Sequence, residues 1–278
     1  MDYSTLIGGT QNDMVEDIAV DINGSAYITG STLSLNYPTS TTTKAFQDNH
    51  AGNDPTNLYG DAFVTKLNPA GTNIAYSTFL GGVTGDGGTG IYVDRRGYAY
   101  VTGFTGSVNF PVRIGDYDSE FEATGEDPVN YQSDAFYTKL SQDGTGLLYS
   151  TFLGGEESDT ATAITVSKMG DIYVTGHTRS TQFPTTDGAY QTTFGDKKDV
   201  FVTKFPGILV SSPNGLEQWC AGTIQQITWE SSGIPAFDVY ISNDSGRTYN
   251  LLASQVRDHH YEWPIPPTQK AGIHYRVR

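Results

Sequence analysis

Three aspartates recur at one position of a repeated motif, GGxxxD, and are the first candidates for chemistry. Asp13, Asp86 and Asp159 each follow a pair of glycines at the same distance. A carboxylate there could bind a ligand or a cation such as Ca²⁺, which takes about 6–8 oxygen ligands. It could equally accept hydrogen bonds from the N–H groups of a turn, and its presence in every copy favours that structural role.

Two long acidic connections carry further oxygen atoms, and the copies of the repeat differ there. Residues 39–60 contain Asp48 and Asp54, and residues 112–133 contain Glu120 and Glu122. Together with the GGxxxD aspartates, these carboxylates predict a calcium site, although no EF-hand or RTX spacing is present. The alternative is a solvated acidic loop.

Aromatic side chains in and beside the connections predict a surface for sugars or peptides instead. The position between glycine and threonine in the VTGxT motif also varies, being serine, phenylalanine and histidine in turn. Sites in repeat folds tend to lie where the copies differ. The candidate ligand-contacting residues are Tyr37, Phe104, Phe110, Tyr117, Tyr131 and His177.

The sequence contains none of the short motifs of common catalytic centres. It has no HExxH, no GxSxG and no P-loop. Those patterns place metal ligands, nucleophiles or phosphates where the chemistry needs them. A polysaccharide hydrolase or lyase is still open, and it would need two carboxylates within about 5–10 Å of each other in a pocket.

The charge and composition limit which partners the chain can have. The formal net charge of −15 opposes binding to nucleic acid or to an anionic membrane. No apolar run approaches the ~20 residues that cross a bilayer, so we expect no membrane insertion. Cys220 is the single cysteine, which excludes an internal disulfide. The first recognisable strand begins at the third residue, so we expect no signal sequence within residues 1–278.

A repeat of 73 residues organises the first part of the chain. The heptapeptide YSTLIGG begins at Tyr3, and YSTFLGG begins at Tyr76 and again at Tyr149. The pattern of each unit predicts four strands. In the first copy these are residues 18–21, 26–30, 61–67 and 76–82. Glycine-bearing turns separate them. Four short antiparallel strands per repeat predict the blades of a β-propeller, since solenoid rungs are much shorter.

These motifs resemble a known family. GGxxxD, IAVDxxG, AYVTGxT, FPTT, AFVTKL and YSTFLGG occur in one order three times and are similar to the bacterial SBBP (β-propeller) repeat. The resemblance covers about residues 3–205. It implies an extracellular or cell-surface propeller module and no defined reaction.

The repeat predicts a spare strand at one end and a vacant edge at the other. YSTFLGG closes each of the first two blades, whereas the third ends at Phe205 without it. Residues 3–9, from Tyr3 to Gly9, form the same strand without a blade. Closed rings need about 4–8 blades. Three outcomes are therefore open: more repeats upstream, association of chains through the open edge of the third blade, or an open three-blade arc with capped edges.

Residues 208–278 lack the repeat and predict a second domain after the repeat domain of residues 1–207. Short strands alternate with turns, as in a small sandwich. The stretch from PNGLEQW to YRVR resembles an Ig-like domain that begins PNGGExW, with Leu216 in place of a glycine. That resemblance implies a secreted or cell-wall protein.

The fold prediction is therefore all-β: three four-stranded propeller blades, as a partial or oligomer-completed ring, followed by an Ig-like sandwich. The leading functional prediction is a non-catalytic binding, adhesion or assembly module outside the cell. Its partners would be other protein chains or surface glycans. No cofactor is expected, and calcium at the acidic connections is the alternative. A structural subunit of a surface filament or layer, joined by strand exchange, is the second prediction.

Overall fold

The computed structural model describes residues 1–40, 44–52, 60–113, 117–123, 132–213, 219–231, 235–243, 249–269 and 276–277. In these ranges the chain contains strands and turns and no α-helix, so the all-β prediction is confirmed. A helix of the length and apolarity needed to cross a bilayer is absent from the same ranges. The chain forms two compact units, one of residues 1–165 and 173–203 and the other of residues 166–172 and 204–278.

Sheet 1 contains four antiparallel strands in sequence order. They are β1 (Asp13–Val20), β2 (Ala26–Thr32), β3 (Asp61–Leu67) and β4 (Ile74–Leu80). Phe63 lies opposite Phe79 and Val64 opposite Thr78 in the pairing of β3 with β4. The YSTLIGG segment (residues 3–9) forms no strand with any described residue.

Sheets 2 and 3 repeat this order. Sheet 2 consists of β5 (Asp86–Val93), β6 (Ala99–Thr105), β7 (Asp134–Leu140) and β8 (Leu147–Leu153). Sheet 3 consists of β9 (Asp159–Val166), β10 (Ile172–Thr178) and β11 (Asp199–Phe205), with β10 in the middle. Among the described strands, β11 therefore pairs on one side only.

The turn between the first two strands of each sheet shows why the repeat keeps a polar residue and a glycine there. Asp21 Oδ1 accepts the N–H groups of Asn23 and Ser25 at 2.9 Å each. Gly24 has a φ of 86°, in the left-handed region that glycine adopts without strain. Asp94 and Gly97 repeat this arrangement in sheet 2.

The core of the first unit lies between its sheets. Tyr27 and Val64 of sheet 1 share one buried cluster with Ile91 and Phe136 of sheet 2. Polar contacts support the same junction, because the Ile91 N–H donates to Asp17 Oδ2 at 2.8 Å. Small and apolar side chains inside both sheets allow this face-to-face packing.

The other unit contains two three-stranded sheets. One is formed by β12 (Ile208–Ser212), β13 (Ile224–Ser231) and β16 (His260–Pro264), and the other by β14 (Phe237–Ser242), β15 (Asn250–Val256) and β17 (Arg276–Val277). Their side chains meet in one apolar cluster that includes Ile227, Trp229, Val239 and Trp263.

Candidate functional site: turn carboxylates and strand edges

The GGxxxD aspartates accept hydrogen bonds within their own turns. The N–H groups of Gly9, Gly82 and Gly155 donate to the aspartate four residues later at 2.7–2.8 Å. Threonine hydroxyls of β2 and β6 bond Asp13 and Asp86, and the Ser107 and Ser180 hydroxyls bond Asp86 and Asp159. The aspartate oxygen atoms thus join the start of the first strand of each sheet to the end of the second strand or the residues just after it.

A second aspartate joins the GGxxxD carboxylate at two of the junctions. A Cβ placed on Gly81 would lie 2.7 Å from the carboxyl carbon of Asp61 and 2.8 Å from Asp86 Oδ2. A Cβ on Gly154 would lie 2.5 Å from Asp134 Oδ1 and 2.9 Å from Asp159 Oδ2. Two carboxylates thus flank one glycine at each junction, and all four are buried.

Burial dominates the ionisation of these groups. Desolvation raises the pKa of Asp86 to about 7 and that of Asp134 to about 8, and it also raises the pKa of Asp159. It raises the pKa of Asp61 as well, although the Ala51 N–H and His50 partly offset it. All four carboxylates are buried, so these pairs do not form the open pocket that a hydrolase or lyase would need.

Two of the predicted ligand-contacting aromatics lie in the core. Tyr37 packs on Phe63 with ring centroids 4.5 Å apart, and Phe110 packs on Phe136 at the same distance. Both are buried, so neither offers a face to a ligand in this structure. They are core residues because the Tyr/Phe-Pro pair folds back over its own sheet.

The other predicted contact residues are more accessible. Tyr117 is exposed, and its backbone N–H donates to the Tyr149 hydroxyl. Phe104 on β6 and His177 on β10 are half-buried at equivalent positions of sheets 2 and 3. Desolvation, with Lys198 and Arg179 nearby, lowers the pKa of His177. Tyr131 lies outside the described residues.

The predicted calcium ligands do not converge in the described structure. Asp48 accepts the Ala45 N–H, while Glu120 and Glu122 are exposed on the second connection. Asp54 lies outside the described residues. Across the described ranges, no three His, Cys, Asp or Glu side chains are grouped as a metal would need. Calcium binding stays a prediction, and melting with and without a chelator tests it.

Both long connections cover the outer edge of their own sheet. The Gln47 N–H donates to Thr78 Oγ1 at 2.8 Å, and the Phe79 N–H donates to the Gln47 carbonyl at 3.1 Å. Asp118 makes the same two bonds with Thr151 and Phe152. The outer strand therefore lies in a slot between the third strand and the connection, which protects an edge that would otherwise be exposed.

Sheet 3 retains the two walls of this slot, and no described strand lies between them. Gln191 Nε2 donates to the Thr193 carbonyl at 2.8 Å and to Asp199 Oδ2 at 3.1 Å. Gln47 makes the matching bonds to the Asn49 carbonyl and to Asp61 Oδ2 in sheet 1. We call the space between β11 and Gln191 the sheet 3 slot.

The YSTLIGG segment occupies the place that an outer strand of a preceding sheet would take. The Tyr3 ring packs on Gly71 as the Tyr76 ring packs on Gly144, and both glycines have positive φ. The Thr10 N–H donates to Asn36 Oδ1 at 3.0 Å, as the Val83 N–H does to Asn109. The segment is thus positioned for pairing.

Sequence reasoning missed the residues that build the slot. The first aspartate of DAFVTKL recurs as Asp61, Asp134 and Asp199, and AFQ at 45–47 recurs as AYQ at 189–191. Both recurrences were available as signals. The second connection hides the match because Asp118 replaces glutamine and its offset from Gln47 is 71 residues instead of 73.

A comparison with family models supports the repeat. Residues 2–38 match the family described as SBBP, a beta-propeller repeat. The matched region joins the YSTLIGG segment to β1 and β2, so it treats that segment as part of a repeat unit. A search of curated proteins finds no match. The chain therefore carries a beta-propeller repeat, which is typical of binding or structural modules.

Proposed function

We propose that this chain is a non-catalytic assembly and binding module that acts outside the cell. The three sheets of its first unit would be propeller blades, and the second unit would be an Ig-like domain. The repeat match and the two-sheet core around Trp229 and Trp263 support these assignments.

One observation carries the proposal: apolar residues that are buried between sheets are exposed at the two ends of the series. Ile18 is 61% exposed, whereas its counterparts Ile91 and Ile164 are 5% and 8% exposed. Val202 is 72% exposed, whereas Val64 in the same place of sheet 1 is fully buried. Each end thus presents the face that the internal junctions bury against another sheet.

The exposed faces favour a further sheet as partner. Burying an isoleucine or valine side chain contributes about 1.5–3 kcal/mol, so several such positions provide a substantial driving force for association. The acidic connections, with the exposed Tyr117, would contact other protein chains or surface glycans. Strand exchange in a surface filament or layer would use the same two ends.

The test measures the solution mass of the chain against concentration, with one end face altered. Ile18→Glu places a charge on the exposed face and should shift assembly to at least ~10-fold higher concentration, equivalent to about 1.4 kcal/mol. Ile22→Glu is the matched control, because Ile22 is exposed in a turn where the other copies have Arg95 and Lys168. A chain that stays monomeric at all concentrations would refute the proposal.

A further inference from the structure

We infer that the YSTLIGG segment of a second copy fills the sheet 3 slot, and that two copies close one ring of six sheets. The inference rests on the proposed assembly function and specifies its partner, register and stoichiometry. It combines the vacant slot with the unpaired segment at the opposite end of the same unit.

The slot has the chemistry that holds an outer strand elsewhere in the chain. In sheet 1 the Gln47 side chain and backbone bond to β4, including a bond from the Gly81 N–H to Gln47 Oε1 at 3.2 Å. Gln191 is held by Asp199 and Thr193 in the arrangement that Gln47 has with its own neighbours. An incoming strand would find these groups already in place.

The YSTLIGG segment matches the strands that fill the other slots. It shares Tyr, Ser, Thr and both glycines with residues 76–82 and 149–155, and differs only by Leu for Phe and Ile for Leu. Its Ile7 packs against the cluster of Tyr37, Phe63 and Phe79. Leu80 has the same place in the cluster that contains Phe136.

The internal sheets also set the register. Val64 pairs with Thr78 in sheet 1, and Tyr137 pairs with Thr151 in sheet 2. By the same offset, Val202 of one copy pairs with Thr5 of the other. A one-residue slip would turn the side chains of the YSTLIGG segment to the opposite face of the sheet, so one register is strongly preferred.

The number of copies follows from ring closure. Closed propellers hold about 4–8 blades, and copies of residues 1–278, with three repeat sheets each, supply multiples of three. Six is the multiple within that range. A head-to-tail interface that closes after two copies gives a two-fold symmetric dimer and leaves no open edge.

Cross-linking between two single-cysteine variants tests the register. These variants and the control variant all carry Cys220→Ser, because Cys220 is an exposed free thiol. Thr5→Cys is mixed with Val202→Cys and oxidised, and the control mixture pairs Thr5→Cys with Thr203→Cys. We expect at least ~10-fold more disulfide-linked dimer from the first mixture, because adjacent residues of a strand face opposite sides and only one can reach the partner.

Light scattering of the unmodified chain tests the stoichiometry. The expected mass is twice the 30.1 kDa of one chain, with no larger species. A monomer, a series of larger assemblies, or equal cross-linking in both mixtures would overturn the inference. If Ile18→Glu weakens association and the cysteine mixtures do not differ, the assembly function stands and the strand pairing fails.

Discussion

Glycines beside the paired carboxylates have no room for a side chain. Gly154 lies between Asp134 and Asp159, where an added Cβ would be within 3 Å of both carboxylates. We predict that Gly154→Ala destabilises the protein by about 1–3 kcal/mol, the usual range for forced overpacking. Urea denaturation followed by circular dichroism measures the change.

Gly146→Ala is the matched control for that substitution. No atom lies within 4 Å of a Cβ on Gly146, and its φ is outside the positive region. Alanine there should be neutral or slightly stabilising because it reduces the entropy of the unfolded chain. Equal losses for both variants would show that the carboxylates tolerate the added methyl group.

The buried aspartates predict that stability falls as the pH rises. Asp86 and Asp134 have folded pKa values of about 7 and 8, against about 3.9 in an unfolded chain. Between about pH 4 and pH 8 the folded state therefore holds protons that unfolding releases, so higher pH favours unfolding. We expect the melting temperature to decrease across this window.

Asp134→Asn should flatten that decrease, because asparagine does not titrate. The readout is the slope of melting temperature against pH between 5 and 8, which is insensitive to a uniform loss of stability. Asp187→Asn is the control, since Asp187 is an exposed aspartate of the same unit. An unchanged slope in Asp134→Asn would contradict the assignment of the pH dependence to this carboxyl group.

At the scale of elements, each connection stabilises the outer strand that it covers. The Gln47 side chain bonds Asp61, the Asn49 carbonyl and the Gly81 N–H, so it joins the start of β3, the connection and the residue that follows β4. We predict that Gln47→Ala lowers the free energy of unfolding by about 1–3 kcal/mol, because buried polar groups lose their partners. Gln11→Ala is the control, since the Gln11 backbone N–H makes the contact to Ser34. Urea titrations measure both variants. If Gln47→Ala and Gln11→Ala had equal m-values and lost similar amounts of unfolding free energy, the role of the Gln47 side chain would be contradicted.

The repeat made the strands predictable from the sequence. The path of the long connections was not predictable. β3 spans the predicted residues 61–67, because turn signals bracket an apolar run there. β1 begins at Asp13 instead of residue 18, since charged residues obscured its first half. Tyr37 and Phe110 were expected in a ligand surface because they begin loops, yet each loop folds over its own sheet. Such long-range packing leaves no local pattern in the sequence.

At the scale of the whole chain, the two units have separate apolar cores, and different optical signals report on their unfolding. Trp219, Trp229 and Trp263 all belong to the unit that contains residues 204–278. Tryptophan fluorescence therefore follows that unit alone, whereas the far-ultraviolet circular dichroism of β-structure follows both. Separate cores of this kind violate two-state unfolding when their stabilities differ.

Core truncations should accordingly separate two transitions in the full chain. Ile227→Ala removes a buried side chain beside Trp229 and should shift the fluorescence transition by about 2–5 kcal/mol. Leu140→Ala is the matched truncation in the cluster between sheets 1 and 2. It should shift by a similar amount only the part of the dichroism change that does not coincide with the fluorescence transition, and the fluorescence transition should stay in place. If either variant moved both transitions equally, the two units would unfold as one cooperative body. If the two cores are separate, Ile227→Ala must shift the fluorescence transition, and Leu140→Ala must leave that transition unchanged.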